Sequence, residues 1–236
     1  MSKQLYKAGF ESGEKKSDDS LYISELFYDT IQGGGKYIGV PSIFIRLGKC
    51  TLDCVFCDSK TVWTIGQYVS FETIFSDFEK HGLIERMKRG HQLILTGGSP
   101  LMQQHKIVVF IKRFINRYKF KPFIEIENEV VLIPNKEMFQ LVDHWNNSPK
   151  LKNSQNDDRK PYRPKVIEAF KHISVNNTIL SPISWKFVIE KESDWDEIKR
   201  DYLDTNLIKR SDIILMPCGA TRDELSKTRE IVASIS

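Results

Sequence analysis

The sequence predicts an α/β protein built as a partial, open (β/α) barrel. Short apolar runs bounded by glycine, proline or polar residues indicate strands, and segments with apolar residues at helical spacing follow several of them. Such alternation is typical of βα units around a mainly parallel sheet. The pattern contains roughly six or seven strands and fewer well-marked helices, which favours a sheet that does not close on itself.

Length and composition agree with a globular domain. The 236 residues are 40% hydrophobic and 28% charged, with a formal net charge of +4, which is ordinary for one large or two small domains. No apolar run approaches the roughly 18 residues that span a bilayer, and the N-terminus lacks a secretory signal pattern. We therefore expect a cytoplasmic protein without a membrane partner. The basic residues are scattered, so direct binding to nucleic acid is not expected.

The first part of the chain predicts an arm followed by two strands. Residues 1–20 are polar and without periodicity, which is typical of a flexible arm, and a single domain is predicted over residues 21–236. Strands are predicted at 22–29 and 41–47. The glycine run at 33–35 lies between them, where a ligand could approach the backbone closely.

Helix and strand patterns alternate through the middle of the chain. Residues 71–89 predict an amphipathic helix, 92–98 a buried strand, 101–118 a second helix, 123–127 a strand and 135–145 a third helix.

A polar, proline-bearing stretch at about 146–164 predicts a surface insertion in the domain. The remaining patterns predict strands at 172–175, 185–190 and 212–217, with helices at 194–203 and 222–235.

The chemistry concentrates in a loop after the strand at 41–47. Cys50, Cys54 and Cys57 form a C-x3-C-x2-C run there, and Cys218 is the fourth cysteine. This distribution indicates metal or redox chemistry rather than a disulfide framework. Three thiolates would leave one iron of a 4Fe-4S cluster open for a small molecule. The alternative is a zinc site in a non-catalytic binding module, with Cys218 or a histidine as fourth ligand; by itself, Cys218 is expected to be a buried small hydrophobe.

The run IQGGGKYIGVPSIFIRLGKCTLDCVFCDS at 31–59 and the motif TGGSP at 96–100 resemble the 7-carboxy-7-deazaguanine synthase family of radical S-adenosyl-L-methionine (SAM) enzymes. The resemblance implies a barrel of the radical SAM type, a 4Fe-4S cluster on the three cysteines, SAM at the open iron, and Mg²⁺. It also implies conversion of 6-carboxy-5,6,7,8-tetrahydropterin to 7-carboxy-7-deazaguanine with loss of ammonia, as in queuosine biosynthesis. Residues shared with the family pattern, besides the cysteines, are Gln32, Gly33, Gly35, Gly39, Pro41, Phe44, Arg46 and Leu47.

The same resemblance implies the site residues. Gln32 would offer a paired donor and acceptor to the pterin edge, and the forked, permanently charged Arg46 would bind the substrate carboxylate. Ser59 stands where the family has a threonine ligand of Mg²⁺ and keeps its oxygen. The full substrate set is Ile31, Gln32, Gly33, Arg46 and Thr96, and the SAM set is Phe56, Cys57, Asp58, Gly97, Gly98, Ser99 and Asn176.

The chain also departs from the family pattern. Ser99 replaces the glutamate of GGEP, Gly34 replaces that of QGEG, and IENE at 126–129 replaces an IETNGT-like strand end. The place of a Ser-Pro-Lys motif is assigned to residues 176–178, and Met216 precedes a proline where glutamine is common. A radical SAM enzyme with another substrate is therefore the alternative. Expected partners are an electron donor such as flavodoxin or ferredoxin and, as one option, a second copy in a homodimer.

Overall fold

The computed structural model describes residues 3–7, 17–156, 158, 161–176 and 183–235. Its strands are β1 (Lys3–Lys7), β2 (Ser20–Ile31), β3 (Pro41–Leu47), β4 (Gln67–Ser70), β5 (Gln92–Gly97), β6 (Ile124–Asn128), β7 (His144–Asn147), β8 (Ile183–Ile189) and β9 (Ile213–Pro217). Its helices are α1 (Lys60–Trp63), α2 (Phe71–Lys80), α3 (Leu83–Lys88), α4 (Gln104–Tyr118), α5 (Lys136–Leu141), α6 (Pro164–Asn176), α7 (Glu192–Ile198) and α8 (Arg222–Ile235).

All nine described strands belong to one sheet. The described strands are arranged β1-β2-β3-β5-β6-β7-β8-β9, with β4 paired to β2. Pairing is antiparallel from β2 to β1, β3 and β4, and parallel from β3 through β5, β6, β7 and β8 to β9. Each parallel strand adds to the same side, so their carboxyl ends meet along one edge. Among the described strands the sheet ends at β1 and β9 without closing, which confirms the predicted open (β/α) barrel.

The core lies between the sheet and helices α2 and α4. Strands β3 and β5 are buried along most of their length, as expected for parallel strands covered on both faces. The same core contains an aromatic cluster of fully buried or nearly buried rings, each of which contributes roughly 1.5–3 kcal/mol by burial. Its members are Phe71, Phe75, Phe78, Phe110 and Phe114. The predicted single helix at 71–89 is two helices, because Gly82 adopts a left-handed conformation with φ of 65° between α2 and α3.

The predicted N-terminal arm differs from the structure where its residues are described. Lys3–Lys7 forms β1 and pairs with β2 from Lys3 opposite Tyr28 to Lys7 opposite Glu25. Pairing with an available strand edge orders this segment, which its polar composition did not indicate. Residues 8–16 of the arm lie outside the described residues.

The predicted surface insertion at 146–164 is wrong in its first part. Residues 144–147 form β7, and all four side chains are buried. Some of its polar groups are hydrogen-bonded: Asn128 Nδ2 donates to Asn147 Oδ1 at 2.9 Å, and Asn146 Nδ2 donates to Glu125 Oε1 at 3.3 Å. Asn146 Oδ1 and Asn147 Nδ2 have no hydrogen-bond partner among the described residues. Polarity here marks a buried strand, only partly satisfied by hydrogen bonds, rather than a solvated loop.

Two neighbouring predictions also differ from the structure. The helix predicted at 135–145 ends at Leu141, where the chain turns into β7. The strand predicted at 172–175 is the end of α6, which begins at Pro164 and buries Val166, Ile167 and Phe170 on one face. In the part of the chain that the structure describes, no helix combines the length and apolar character needed to cross a bilayer.

Candidate active site

A large cavity opens at the carboxyl ends of the parallel strands, and it brings most of the predicted site residues together. Its volume is about 1330 Å³. Arg46 enters it from β3, Thr96 and Gly97 from β5, and Glu127 from β6, as ligand-binding groups do in open α/β sheets. The predicted residues that line it are Ile31, Gln32, Gly33, Arg46, Cys50, Cys54, Phe56, Cys57, Asp58, Ser59, Thr96, Gly97 and Gly98.

The loop between β3 and α1 carries the three cysteines, which are free thiols. Each sulfur accepts an N–H group. The Leu52 backbone donates to Cys50 Sγ at 3.4 Å, Asn156 Nδ2 to Cys54 Sγ at 3.2 Å, and Trp63 Nε1 to Cys57 Sγ at 3.3 Å. Donors of this kind stabilise anionic sulfur and tune the reduction potential of a bound cluster.

Burial raises the pKa of Cys50 and Cys54. These thiols therefore hold their protons at neutral pH until a metal replaces them. Three free thiols on one loop, each with an N–H donor at its sulfur, are the donor set of a 4Fe-4S cluster in which three irons carry a protein thiolate and one does not. Among the described residues, no three His, Cys, Asp or Glu side chains are grouped closely enough to hold a single metal ion.

The glycine pair after β5 presses against the cysteine loop. Gly97 has a φ of 137°, and a Cβ there would lie 2.2 Å from the Leu47 carbonyl oxygen; a Cβ on Gly98 would lie 2.1 Å from the Lys49 oxygen. The Gly98 N–H donates to Leu47 O at 3.2 Å, and the Ser99 N–H donates to Lys49 O at 2.9 Å. The glycines thus fix the cysteine loop against β5, besides exposing backbone to the cavity.

Ser99 is fully buried and bonded to the same loop. Its Oγ accepts the Thr51 N–H at 2.9 Å, lies 3.0 Å from Thr51 Oγ1, and donates to Cys50 Sγ at 3.5 Å. Thr51 Oγ1 in turn donates to Glu129 Oε1 at 3.0 Å. Glu129 lines the cavity just beyond β6, and burial raises its pKa. A carboxylate therefore lies next to the position where the family glutamate is missing.

Gln32 is 2% exposed, and its amide is held by protein groups. Nε2 donates to Glu125 and, at 3.2 Å, to Glu127, while Oε1 accepts the Gly34 N–H at 3.2 Å. Both amide hydrogens are therefore directed at carboxylates. Contact between Gln32 and a pterin edge stays a prediction; in the structure the amide is hydrogen-bonded to protein groups and still lines the cavity.

Glu127 lines the cavity; its place at a predicted strand end suggested a ligand-facing position, but the sequence assigned it no binding role. Thr96 Oγ1 donates to Glu127 Oε2 at 2.6 Å. Burial acts to raise the pKa of Glu127, but the charge of Lys186 and the hydrogen bonds from Thr96 and Gln32 outweigh it, so the pKa is lowered. The side chain is an ionised acceptor. The signal was a carboxylate at the carboxyl end of the predicted strand at 123–127.

A second polar layer lies behind Gln32. Glu125 is fully buried, and its Oε2 is hydrogen-bonded to His144 Nδ1 at 2.7 Å. The other ring nitrogen, His144 Nε2, lies 3.1 Å from Ser184 Oγ. Tyr37 packs its ring edge against His144 at 4.8 Å between centroids. This layer ties β6, β7 and β8 together and holds the Gln32 amide in place.

Arg46 forms an ion pair at the β2 side of the cavity. Its Nε donates to Glu25 Oε2 at 2.9 Å, and its guanidinium carbon lies 5.8 Å from the Phe27 ring centroid. The pair and the ring hold the plane of the guanidinium, which suits it to a planar carboxylate.

The Ser-Pro-Lys motif, assigned above to residues 176–178, is present directly after β7 as Ser148, Pro149 and Lys150. Ser148 and Lys150 line the cavity, and Lys150 Nζ donates to Ser148 Oγ at 2.7 Å. Burial lowers the pKa of Lys150. Asn176 is instead the last residue of α6; its side chain, and residues 177 and 178, lie outside the described residues. The motif itself was the signal, hidden because β7 was interpreted as a loop.

Ser59 begins α1, and its side chain makes no capping hydrogen bond there. Its Oγ lies 3.8 Å from Cys57 Sγ. Ser59 thus lines the cavity beside the cysteine loop.

Strands β8 and β9 close the far side of the cavity with Lys186, Met216 and Cys218. Cys218 is partly exposed rather than a buried small hydrophobe, and its backbone N–H donates to Ile189 O at 2.8 Å. Gly34, which replaces the family glutamate, also lies on this side of the cavity. A Cβ at Gly34 would lie 3.7 Å from Lys186 Nζ.

The sequence is similar to those of several proteins of known name. The 7-carboxy-7-deazaguanine synthase of Koribacter versatilis is 33% identical over 125 residues, which span 52% of this chain and about half, 51%, of that protein. The enzyme of the same name from Pyrobaculum aerophilum is 27% identical over 205 residues, spanning 86% of this chain and 81% of that one.

The fold also has a counterpart among solved structures. The crystal structure of QueE from Escherichia coli superposes with a TM-score of 0.57 at 19% identity, covering 92% of this chain and 91% of that chain. Residues 31–156 match the family described as "4Fe-4S single cluster domain". This match takes in more than half of the chain and contains the three cysteines, so the protein belongs to the 4Fe-4S single cluster domain family.

Proposed function

We propose that this chain is a radical SAM enzyme that converts 6-carboxy-5,6,7,8-tetrahydropterin to 7-carboxy-7-deazaguanine and ammonia. One observation carries the proposal. The three thiols and a set of groups suited to a carboxypterin, namely Arg46, Thr96 and Glu127, line the same cavity. Relatives with that enzyme name align with most of the chain, which supports the assignment.

Cys50, Cys54 and Cys57 would hold the cluster, and the N–H donors at their sulfurs would set its potential. When bound, the cluster and SAM supply one-electron chemistry that removes a hydrogen atom from the substrate. The protein's part is to hold the two molecules together and to exclude water from the cavity.

SAM would lie along the ends of β5 and β7. Phe56 and Asp58 would flank it from the cysteine loop, and Gly97 and Gly98 would expose backbone to it. Ser148 takes the place given above to Asn176, since it lines the cavity directly after β7.

The substrate would lie between β2, β3 and β6. Arg46 would bind its carboxylate, with Ile31 and Gly33 giving backbone contacts. The amino group and ring N–H of a pterin are adjacent donors, and an ionised carboxylate can accept both. Glu127 meets that requirement, since its pKa is lowered and Thr96 and Gln32 fix its orientation.

Magnesium is proposed at Ser59, whose hydroxyl is not used in capping α1. Mg²⁺ prefers oxygen ligands and keeps several waters, so a single protein hydroxyl plus substrate oxygens is a sufficient site. Ser59→Thr should preserve magnesium-stimulated turnover, and Ser59→Ala should lose the stimulation.

The wider setting is also proposed. A cluster on free thiols requires a reducing compartment, so we place the protein in the cytoplasm. A flavodoxin or ferredoxin would deliver the electron. A homodimer is the proposed assembly, to be checked by light scattering.

The proposed reaction is tested by anaerobic reconstitution followed by reduction in the presence of SAM and carboxytetrahydropterin. We expect four irons and four sulfides per chain, and 7-carboxy-7-deazaguanine by mass spectrometry. Release of 5'-deoxyadenosine without deazaguanine would instead assign a different substrate. A colourless protein that holds zinc and no sulfide would refute the enzyme.

Glu127→Gln gives the sharper form of this test, because it keeps the shape and removes the charge. We expect kcat/KM to fall by roughly 100-fold or more, as when a buried charged hydrogen bond to a substrate is lost. The matched control is Glu190→Gln, a carboxylate that lines the same cavity after β8, which should change turnover little.

A further inference from the structure

Because this chain lacks the glutamate of GGEP, the α-ammonium group of SAM needs another acidic partner. In the family pattern that carboxylate lies after β5, where it suits the α-ammonium of SAM. Here the position is Ser99, whose oxygen already accepts the Thr51 N–H and whose proton is directed at Thr51 Oγ1 or Cys50 Sγ. Ser99 is also fully buried. Its hydroxyl is therefore occupied by the cysteine loop rather than offered to a ligand.

Glu129 brings a carboxylate to the same place from the next strand. Thr51 Oγ1 links the two residues, at 3.0 Å from Ser99 Oγ and 3.0 Å from Glu129 Oε1. Glu129 is 5% exposed and lines the cavity. Its second oxygen, Oε2, is buried and accepts no hydrogen bond from any described residue. Leaving such an oxygen unpaired is costly, which points to a donor that arrives with a ligand.

The neighbouring carboxylates differ from Glu129. Each oxygen of Glu127 accepts one hydrogen bond, from Gln32 and Thr96, and its remaining acceptor capacity is assigned above to the pterin. Glu25 is paired with Arg46, and Asp58 is exposed. Glu129 is therefore a buried carboxylate with an unbonded oxygen beside the cysteine loop.

We propose that Glu129 binds the α-ammonium group of SAM in place of the missing glutamate, so that the acidic partner of the cofactor has moved from the end of β5 to the end of β6. This inference rests on the proposed function only in requiring that the chain bind SAM. An ammonium group supplies the donors that Oε2 lacks, and a charge-assisted bond in a buried site is stronger than a neutral one.

A different explanation of Glu129 is that it balances the charge of Lys150 on the neighbouring strand end. Lys150 Nζ donates to Ser148 Oγ, at 2.7 Å. If charge balance were the whole role, removal of the carboxylate would affect all ligands alike, whether or not they carry an ammonium group.

The test measures the affinity of the reconstituted, cluster-bearing protein for SAM without any pterin, by isothermal titration calorimetry. Wild type is compared with E129Q, and with E190Q as the matched control from the same cavity. Each protein is also titrated with an S-adenosyl analogue that has hydrogen in place of the α-amino group. Iron content and the EPR spectrum of the reduced cluster establish that each variant is loaded.

We expect E129Q to bind SAM roughly 10- to 100-fold more weakly, the size of a lost hydrogen bond to a charged group. The amine-free analogue should bind E129Q and wild type within about twofold of each other. The double variant S99E/E129Q, which returns the carboxylate to its family position, should recover most of the affinity. E190Q should match wild type.

Unchanged SAM affinity in loaded E129Q, or an equal loss for SAM and the analogue, would overturn the inference. If E129Q assembles too little cluster, E129D serves instead; it keeps the charge and should bind SAM more tightly than the double variant S99A/E129A. The two proposals fail separately. A wild type that binds SAM through Glu129 but forms no deazaguanine would refute only the reaction, and product formation with unchanged E129Q affinity would refute only this inference.

Discussion

The two ends of the parallel sheet differ in how firmly they are built. Strands β3 and β5 are buried along most of their length, and the cysteine loop is held to them by backbone hydrogen bonds. At the other end, β9 is partly exposed throughout, and Thr228 is the buried residue of α8. The family match over 31–156 stops before β8. The difference teaches that the side of the cavity with the cysteine loop is held by close packing, whereas the far wall is packed less tightly.

The largest expected effect is on cluster assembly, and it should differ between a cysteine of the cysteine loop and the cysteine at the far wall of the cavity. Cys54→Ala should abolish cluster assembly and turnover, since it removes a thiolate whose neighbours Asn156 and Lys150 are arranged around that sulfur. Cys218→Ala, at the far wall of the same cavity, should keep a full complement of iron and sulfide. Loss of the cluster in C218A would break the comparison.

A second variant tests the packing of the cysteine loop. Gly98→Ala would place a Cβ 2.1 Å from the Lys49 oxygen and 2.8 Å from Cys50 Cβ, so the loop must shift. We expect a loss of about 1–3 kcal/mol in the free energy of unfolding and reduced iron content. Gly33→Ala is the control, because a Cβ there meets nothing within 4 Å. Chemical denaturation measures the free energy of unfolding of the two variants, and iron analysis measures their metal content. Equal stability of the two variants would contradict this account.

Substitution of Glu129 should change the free energy of unfolding by less than Gly98→Ala does, and should raise it rather than lower it. Burial raises its pKa above the ordinary value of 4.5, so the folded chain resists ionising it. That penalty is absent below the ordinary pKa and grows as pH rises through the folded value. In the cluster-free protein without SAM, E129Q should be more stable than wild type by about 1 kcal/mol at neutral pH. The gain should disappear near pH 4, as followed by thermal unfolding across pH; a gain that is constant with pH would exclude this cause.

The smallest effect concerns the far wall. Gly34→Glu would bring a carboxylate toward Lys186, whose Nζ would lie 3.7 Å from the new Cβ. We expect a gain of no more than about 0.5 kcal/mol, because such pairs are weak where water reaches them. Gly34→Gln is the uncharged control. The difference between the two should vanish in high salt, and a stability loss in both would show that the site tolerates no side chain.

Sequence patterns predicted the cofactor side well because local signals decide it. The strand predicted at 41–47 coincides with β3, and the strand predicted at 92–98 ends one residue beyond β5. Cysteine spacing and the glycine pair also named groups that meet in one cavity. In these segments apolar periodicity and turn chemistry point the same way.

Polar interiors account for the main errors. HWNN has no apolar alternation, yet it is a buried strand because Asn128, Glu125 and Gly34 provide partners from distant parts of the chain. Once β7 was missed, the Ser-Pro-Lys motif after it could not be placed at a strand end. Glu129 was equally hidden, since its importance depends on Thr51 and Ser99, which are far away in sequence.

The contact between Trp63 and the cysteine loop has an optical consequence. The indole N–H donates to Cys57 Sγ at 3.3 Å, whereas Trp145, Trp185 and Trp195 belong to β7, β8 and α7. Iron–sulfur chromophores absorb across the wavelengths at which indole emits. Fluorescence from Trp63 should therefore fade as the centre is assembled, so the protein carries an intrinsic gauge of its own maturation.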